Sequence, residues 1–259
     1  MKKDSISKGS IRIIVATHKP YRMPEDPVYL PLLVGADQNR PEWKGAVDNE
    51  GDNISRKNPY YCELTGLYWA WKNLNADYIG LVHYRRIFAD GRWWKEKNER
   101  IISGTGIAGH LRDTDILLPK PRHYWIETNY SQYAHAHHHE DLDRAREIIE
   151  AKHPRYLTAF DAVMKKRSGH RFNMMVMEKE QLDRYCSWLF DILAELESKL
   201  DIAAYSPNDQ RVFGFVGERL LDVWLETNQA AYKDIPYVFL EKQNWLRKGT
   251  NFIKRKLKS

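Results

Sequence analysis

The sequence predicts an α/β fold with a mixed, mostly parallel central sheet flanked by helices. Three observations point there. Short β-branched or apolar runs alternate with longer amphipathic stretches, the order that builds βαβ units. Proline and glycine clusters punctuate the runs. Hydrophobic residues are 42% of a 259-residue chain and aromatic residues 12%, enough for a substantial core and unlike a disordered segment.

Ile11–Ala16 (IRIIVA) is the first strand, ending in Thr17-His18-Lys19-Pro20-Tyr21. Prolines at 20, 24, 27 and 31 forbid a long helix there, so a loop is expected to about residue 57. That loop includes Gly51-Asp52-Asn53-Ile54-Ser55. From Glu63 to Leu74, residues Leu64, Leu67, Tyr68 and Trp71 recur at helical spacing. Asp77–His83 is apolar enough for a strand covered on both faces, and it runs into Tyr84-Arg85-Arg86. Asp115–Leu118 is a third strand, stopped by Pro119 and Pro121. A charged helix over Glu140–Lys152 ends at Pro154, Phe172–Met177 is another strand, and Leu182–Leu200 is a long amphipathic helix. Ser206-Pro207 resembles an N-cap followed by proline at the first helical position, opening a helix towards Glu226. No internal repeat stands out. The expected organisation is a flexible N-terminus over 1–10, one domain over 11–244 and a basic amphipathic tail over 245–259.

The formal net charge of +6 fits nucleic acid, an anionic membrane or a phosphorylated small molecule. No helix-turn-helix, RNA-binding aromatic signature or zinc finger supports nucleic acid. Neither GxxxxGK[ST] nor GxGxxG is present, which removes the P-loop and dinucleotide-fold readings. Cys62 and Cys186 lie in no metal spacing and read as buried reduced thiols. No apolar run approaches a membrane span, and residues 1–10 lack a signal-peptide core, so the expected location is the cytoplasm or the inner face of the cytoplasmic membrane. The tail sets Trp245, Leu246, Phe252, Ile253 and Leu257 among basic residues, a composition suited to an anionic lipid surface or to a solvated tail.

In open α/β sheets ligands bind beyond the carboxyl ends of the strands. Two such ends carry concentrated polar groups, Thr17-His18-Lys19 and His83-Tyr84-Arg85-Arg86. Together they make an anion site suited to a diphosphate, with guanidinium groups giving bidentate contacts; structural ion pairing of the arginines is the alternative. The run His135, His137, His138, His139 with Glu140 and Asp141 is a second concentration. On a helix His135 shares a face with His138 and His139, and His137 with Asp141. That spacing fits a zinc site, a contact to acceptor or phosphate from His135 and His138, or an ordinary polar helix start.

Six segments occur in one order: Ala16–Tyr21 (ATHKPY), Gly51–Ser55 (GDNIS), Cys62–Asn73 (CELTGLYWAWKN), Tyr78–Arg86 (YIGLVHYRR), Phe172–Met175 (FNMM) and Gly214–Leu221 (GFVGERLL). The series, spanning about residues 11–240, resembles a bacterial family long catalogued as a domain of unknown function and found in capsule, exopolysaccharide and O-antigen gene clusters. The resemblance implies a GT-A-like fold and transfer of galactofuranose from its uridine diphosphate donor, with inversion, to a glycan carried on a polyprenyl diphosphate lipid. It places the donor at Thr17, His18, Lys19, Asp52, Asn53, His83, Tyr84, Arg85, Arg86 and Asn173. Most GT-A enzymes hold a divalent metal on an Asp-x-Asp pair after a strand, whereas the comparable strand here runs into His83-Tyr84-Arg85-Arg86. No cofactor is therefore expected, with Asp52, Asp113, Asp115 and the histidine run as the places for metal ligands otherwise. Inversion needs a base, for which Glu218 is the first candidate and Asp209 the second. Gly217 lets substrate approach, and Arg211 and Arg219 are candidates for acceptor or phosphate contact or for pairing with Glu218. The rival readings are a pyranosyltransferase on the same fold and a non-catalytic membrane-associated assembly subunit.

Overall fold

A computed structural model describes residues 9–39 and 41–241. Residues 1–8 and the proposed tail lie outside the described residues. β1 (Ile11–Thr17) is the β-branched run at the start. β2 (Tyr29–Leu33) and β3 (Ala46–Val47) follow, inside the stretch expected as loop. Proline content hid β2, because Pro31 sits within the strand. β3 pairs only with Leu32 and Leu33, so at Pro31 the side away from β1 has no ladder to interrupt.

The turn after β2 is tied down by Asp48, which is fully buried. Its carboxylate accepts the Gly35 and Ala36 N–H groups at 2.9 and 3.1 Å and the hydroxyls of Ser55 and Thr65 at 2.5 and 2.7 Å. Such charge-assisted bonds offset the cost of burying a carboxylate. α2 (Leu64–Asn73) matches the helix expected from Glu63 to Leu74, and a short α1 (Asn58–Tyr61) precedes it, separated from it by Cys62 with φ 53°.

β4 (Tyr78–His83) and β5 (Arg86–Phe88) form a hairpin in which His83 pairs Arg86. Tyr84 and Arg85 are thereby left in a tight turn at the end of β4. α3 (Gly104–His110), capped by Ser103, precedes β6 (Ile116–Pro119) and β7 (Arg122–His123). α4 (Asn129–Ala134) begins with a capping box on Thr128. α5 (Glu140–Lys152) matches its expected bounds, with three acids in the first turn, where they favour the helix dipole. The histidine run is a turn between α4 and α5, so the helical faces expected for it do not form.

α6 (Leu157–Lys165), β8 (Ser168–Gly169), β9 (Met175–Glu178) and α7 (Lys179–Lys199) come next. β9 starts three residues later than expected because Phe172 and Asn173 have φ of 75° and 51°. α8 (Val212–Asn228) also starts late. Ser206 instead closes a turn, its hydroxyl 2.7 Å from Asp209 Oδ2 and accepting the Asp209 N–H at 3.2 Å. β10 (Lys233–Ile235) and β11 (Tyr237–Phe239) end the described chain.

The main sheet has the order β10-β6-β9-β4-β1-β2-β3, with β5 and β11 extending from the end of β4. Along that path every described strand but β9 runs one way; β9 is antiparallel to both β4 and β6. The sheet is thus mixed and mostly parallel, and helices flank it. Ile14, Leu32, Leu81, Leu118 and Met175 face a large core completed by α2 and α4 through α8. Ile13, Val15, Val82, Leu117 and Val176 face a smaller one with Ile107 and Leu111. Burial of both faces explains why these strands read as continuous apolar runs, and each buried Leu, Ile or Val contributes roughly 1.5–3 kcal/mol. No helix among the described residues is long and apolar enough to cross a membrane.

Candidate functional site

A cavity of about 590 Å³ opens at the carboxyl ends of β1 and β4. Its volume is in the range of small-molecule sites. Six arginines (85, 86, 122, 171, 211 and 219) and two glutamates (63 and 218) line it. The imbalance makes a strongly electropositive recess, since guanidinium groups stay charged at any physiological pH.

From β1, Thr17 is buried, its hydroxyl donating to Lys19 O at 2.6 Å, which turns the chain out of the strand. His18 follows into the wall, edge-on to Tyr84 at 5.3 Å. Partial burial and the nearby Arg85, Lys19 and Arg211 lower its pKa. Lys19 does not line the cavity; its ammonium lies 5.5 Å from the Tyr84 ring.

From β4, His83 Nε2 donates to Phe172 O at 2.6 Å, and burial lowers the imidazole pKa, so it holds the wall rather than binding an anion. Tyr84 and Arg85 face the cavity from the hairpin turn, with Arg85 half-exposed and 3.5 Å from Glu241. The Arg86 guanidinium lies 4.4 Å from the Phe172 ring centroid and 5.2 Å from that of Phe239. Its buried Nε has no hydrogen-bond partner among the described residues.

From α8 and the turn before it, Arg211 Nε donates to Cys62 Sγ at 3.1 Å. Arg219 is 3% exposed, with its Nη atoms donating to Phe215 O and Gln132 Oε1, both at 2.7 Å. Burial and the nearby Arg171 push its pKa down to about 10, so it remains a cation at neutral pH. Glu218 Oε1 accepts the Phe172 N–H at 3.1 Å, and its other oxygen is 3.8 Å from Arg219 Nη1. Gly217, expected to let substrate approach, does not line the cavity. A Cβ there would sit 2.8 Å from Leu64 Cδ1, so the glycine lets α8 pack closely on α2.

Phe172 and Asn173 occupy left-handed backbone, which costs about 1–2 kcal/mol for a bulky residue such as Phe172. Two hydrogen bonds hold Phe172 there, its N–H to Glu218 and its carbonyl from His83. The Asn173 amide donates to Glu63 Oε1 at 2.7 Å and to Gly214 O at 3.2 Å, which places the side chain behind the wall.

Several expected residues fall elsewhere. Asp52 and Asn53 lie outside the cavity wall. The Asp52 backbone exchanges hydrogen bonds with the Asn73 side chain, its carboxylate accepts the Tyr68 hydroxyl, and Asn53 bonds Gly51 and Ser55. These residues close the end of α2, away from the donor position that the resemblance implies. His135 is 61% exposed and pairs with Glu127 at 2.8 Å, and His138 stacks on Tyr205 at 4.0 Å. Neither lines the cavity. Asp209 does not line it either, and its Oδ1 lies 2.9 Å from His137 Nδ1. Among the described residues no three His, Cys, Asp or Glu side chains are grouped to hold a metal. Neither cysteine is disulfide-bonded; Cys186 is buried, and Cys62 is partly exposed in the cavity wall, a correction to the expectation that both are buried.

Sequence reasoning missed Arg122, Tyr124, Gln132, Arg171 and Glu63 in the wall. Arg171 is 4% exposed and donates to Tyr124, His170 O and Asn129. An arginine directly before the Phe172-Asn173 motif was the available signal.

The profile of a family described as a domain of unknown function, DUF4422, matches residues 12–229. A solved structure described as the apo form of WbbM, a bifunctional glycosyltransferase, superposes with a TM-score of 0.84 at 32% identity. The match covers 90% of this chain and 46% of that one, so the chain spans about half the length of the larger protein. No curated protein gives a match.

Proposed function

The chain belongs to the DUF4422 family, and on that footing we propose that it is an inverting glycosyltransferase of polysaccharide synthesis, moving galactofuranose from UDP-galactofuranose to a glycan hydroxyl. The observation that carries the reading is the recess at the ends of β1 and β4, where six arginines outnumber two glutamates. A nucleoside diphosphate brings compact negative charge, and that charge grows on the leaving oxygen as the glycosidic bond breaks. Fixed guanidinium groups stabilise it without reorganising. Arg85 and Arg86 at the hairpin, with Arg211 opposite, are assigned to the diphosphate, and Thr17, His18 and Tyr84 to the nucleotide side. The likeness to WbbM over 90% of the chain supports glycosyl transfer, and the six sequence segments support the furanose donor.

In this reading charge compensation comes from arginine and no divalent metal is needed. Turnover of UDP-galactofuranose with a glycan acceptor, followed by UDP release, is expected to survive excess chelator. Loss on chelation and recovery with manganese or magnesium would overturn the charge assignment. Turnover of UDP-galactopyranose with none of the furanose would overturn the sugar. The acceptor is assigned to a polyprenyl-diphosphate lipid and the basic tail to the cytoplasmic membrane face, each surface-facing Lys or Arg contributing about 1 kcal/mol. Deleting 245–259 is expected to weaken binding to anionic vesicles.

A further inference from the structure

His137 is the one histidine of its run that reaches the cavity wall. Its backbone N–H bonds Tyr133 O at 2.8 Å, and its ring is stacked on Phe215 at 4.2 Å with Tyr133 5.0 Å away. The imidazole is therefore fixed in place. Nδ1 lies 2.9 Å from Asp209 Oδ1, and Asp209 is itself held by Ser206 and Asn208. A carboxylate at Nδ1 selects the tautomer with its proton there, leaving the Nε2 lone pair free. Nε2 has no protein partner among the described residues.

We propose that His137, oriented by Asp209, is the base that takes the proton from the attacking acceptor hydroxyl. This rests on the transferase reading above. The acceptor oxygen forms its bond to the anomeric carbon of the nucleoside-diphosphate sugar. The bond from that carbon to the diphosphate oxygen breaks, and its electron pair leaves with the diphosphate. The hydroxyl proton passes to Nε2, the imidazolium is stabilised by Asp209, and the proton is later released to water.

Glu218 has another task. Its Oε1 already accepts the N–H of Phe172, whose φ is 75°, and its other oxygen faces Arg219. It is a positioning residue that keeps the strained turn in the wall. Asp209 is likewise a positioning residue, acting through His137. The charged and titratable groups that face the His137 ring are Asp209, Arg219 from α8, Asp141 from the start of α5 and Tyr133 from α4. Burial lowers the His137 pKa, outweighing the pull of Asp209, which leaves the ring unprotonated and ready to accept a proton at neutral pH.

The test compares wild type with H137N, D209N and E218Q, using UDP-galactofuranose and a hexose-terminated glycoside, with UDP itself as the binding probe. H137N keeps an amide N–H for Asp209 but has no Nε2. Its kcat is expected to fall roughly 100- to 10,000-fold while UDP affinity and thermal unfolding stay near wild type. The acid limb of the kcat profile should vanish from its residual activity. D209N should move that limb to lower pH, because removing the negative charge weakens the hold on the imidazolium proton. H137N with wild-type kcat, or an acid limb that persists in H137N and disappears in E218Q, overturns the proposal and passes the base to Glu218. Wild-type protein that neither binds UDP nor turns over a UDP-hexose overturns the transferase reading itself.

Discussion

Arg86 shows how much chemistry rests on single side chains here. Burial lowers its pKa, yet among the described residues it has no hydrogen-bond partner for Nε, and it lies over Phe172 and within 5.2 Å of Phe239. A buried unpaired donor costs about 1–3 kcal/mol, a cost that a diphosphate oxygen would relieve. R86A is expected to lower kcat roughly 100- to 1,000-fold, the range for losing one donor to developing charge. R86K should recover only part, since a lysine keeps the charge but not the planar stack between rings. By contrast D52A should leave UDP affinity and turnover at wild-type levels, because among the described residues Asp52 hydrogen-bonds only Tyr68 and Asn73. Steady-state UDP release separates the two cases, and a donor-affinity loss in D52A would return that residue to the site. The difference between the two positions was only half legible. Residues at strand ends, such as His18 and Arg85, announce themselves because sheet geometry dictates where strand ends go. Arg122 and Arg171 lie on connections whose path is set by packing, and Asp52 mimics a ligand through turn chemistry that is purely local.

At the scale of elements, local signals worked where they were strong and self-contained. α5 runs from Glu140 to Lys152 as read, with acids in its first turn and Pro154 just beyond. Strand direction has no such local mark: nothing in Met175–Glu178 encodes that β9 runs against β4 and β6. Helix contact was misread at Gly217, where α8 approaches Leu64 of α2. A Cβ there meets Leu64 Cδ1 at 2.8 Å, and Leu64 is fully buried. Overpacking of this kind costs about 1–3 kcal/mol, against which alanine gains up to about 1 kcal/mol of helix propensity over glycine. G217A is therefore expected to lower stability by about 1 kcal/mol in urea unfolding. In an L64A background the clash disappears, and the same substitution should become neutral or stabilising. Equal costs in both backgrounds would show that Gly217 serves something other than packing on Leu64.

Across the whole molecule, the far edge of the sheet is pinned by one buried imidazole. His170 Nδ1 contacts Asp222 of α8 at 2.5 Å and Nε2 contacts Asp234 of β10 at 2.9 Å, and the residue adjoins Arg171 and the Phe172 turn. Burial lowers its pKa, but the hydrogen bonds to Asp222 and Asp234 outweigh burial and carry it up to about 9. In the unfolded chain the value is about 6.5. Between these two values the folded protein binds a proton that the unfolded chain does not, so stability must fall as pH rises through that window. The contribution is fully present below about pH 6.5 and is lost as pH passes about 9, with an upper size on the order of 3 kcal/mol from the shift. The proposed base sets the opposite limit. Burial lowers the His137 pKa, so its acid limb falls below the ordinary imidazole value of about 6.5. With His137 as the base, activity is expected to fall between loss of the free imidazole on the acid side and loosening of the α8–β10 tie on the alkaline side. H170Q keeps hydrogen-bonding capacity but cannot titrate. Unfolding midpoints measured from pH 6 to pH 10 should decline in wild type relative to H170Q, and the two curves should approach each other above pH 9 as the imidazolium is lost. Parallel curves across that range would mean that the His170 cluster carries no linked proton and that any alkaline loss of activity begins elsewhere.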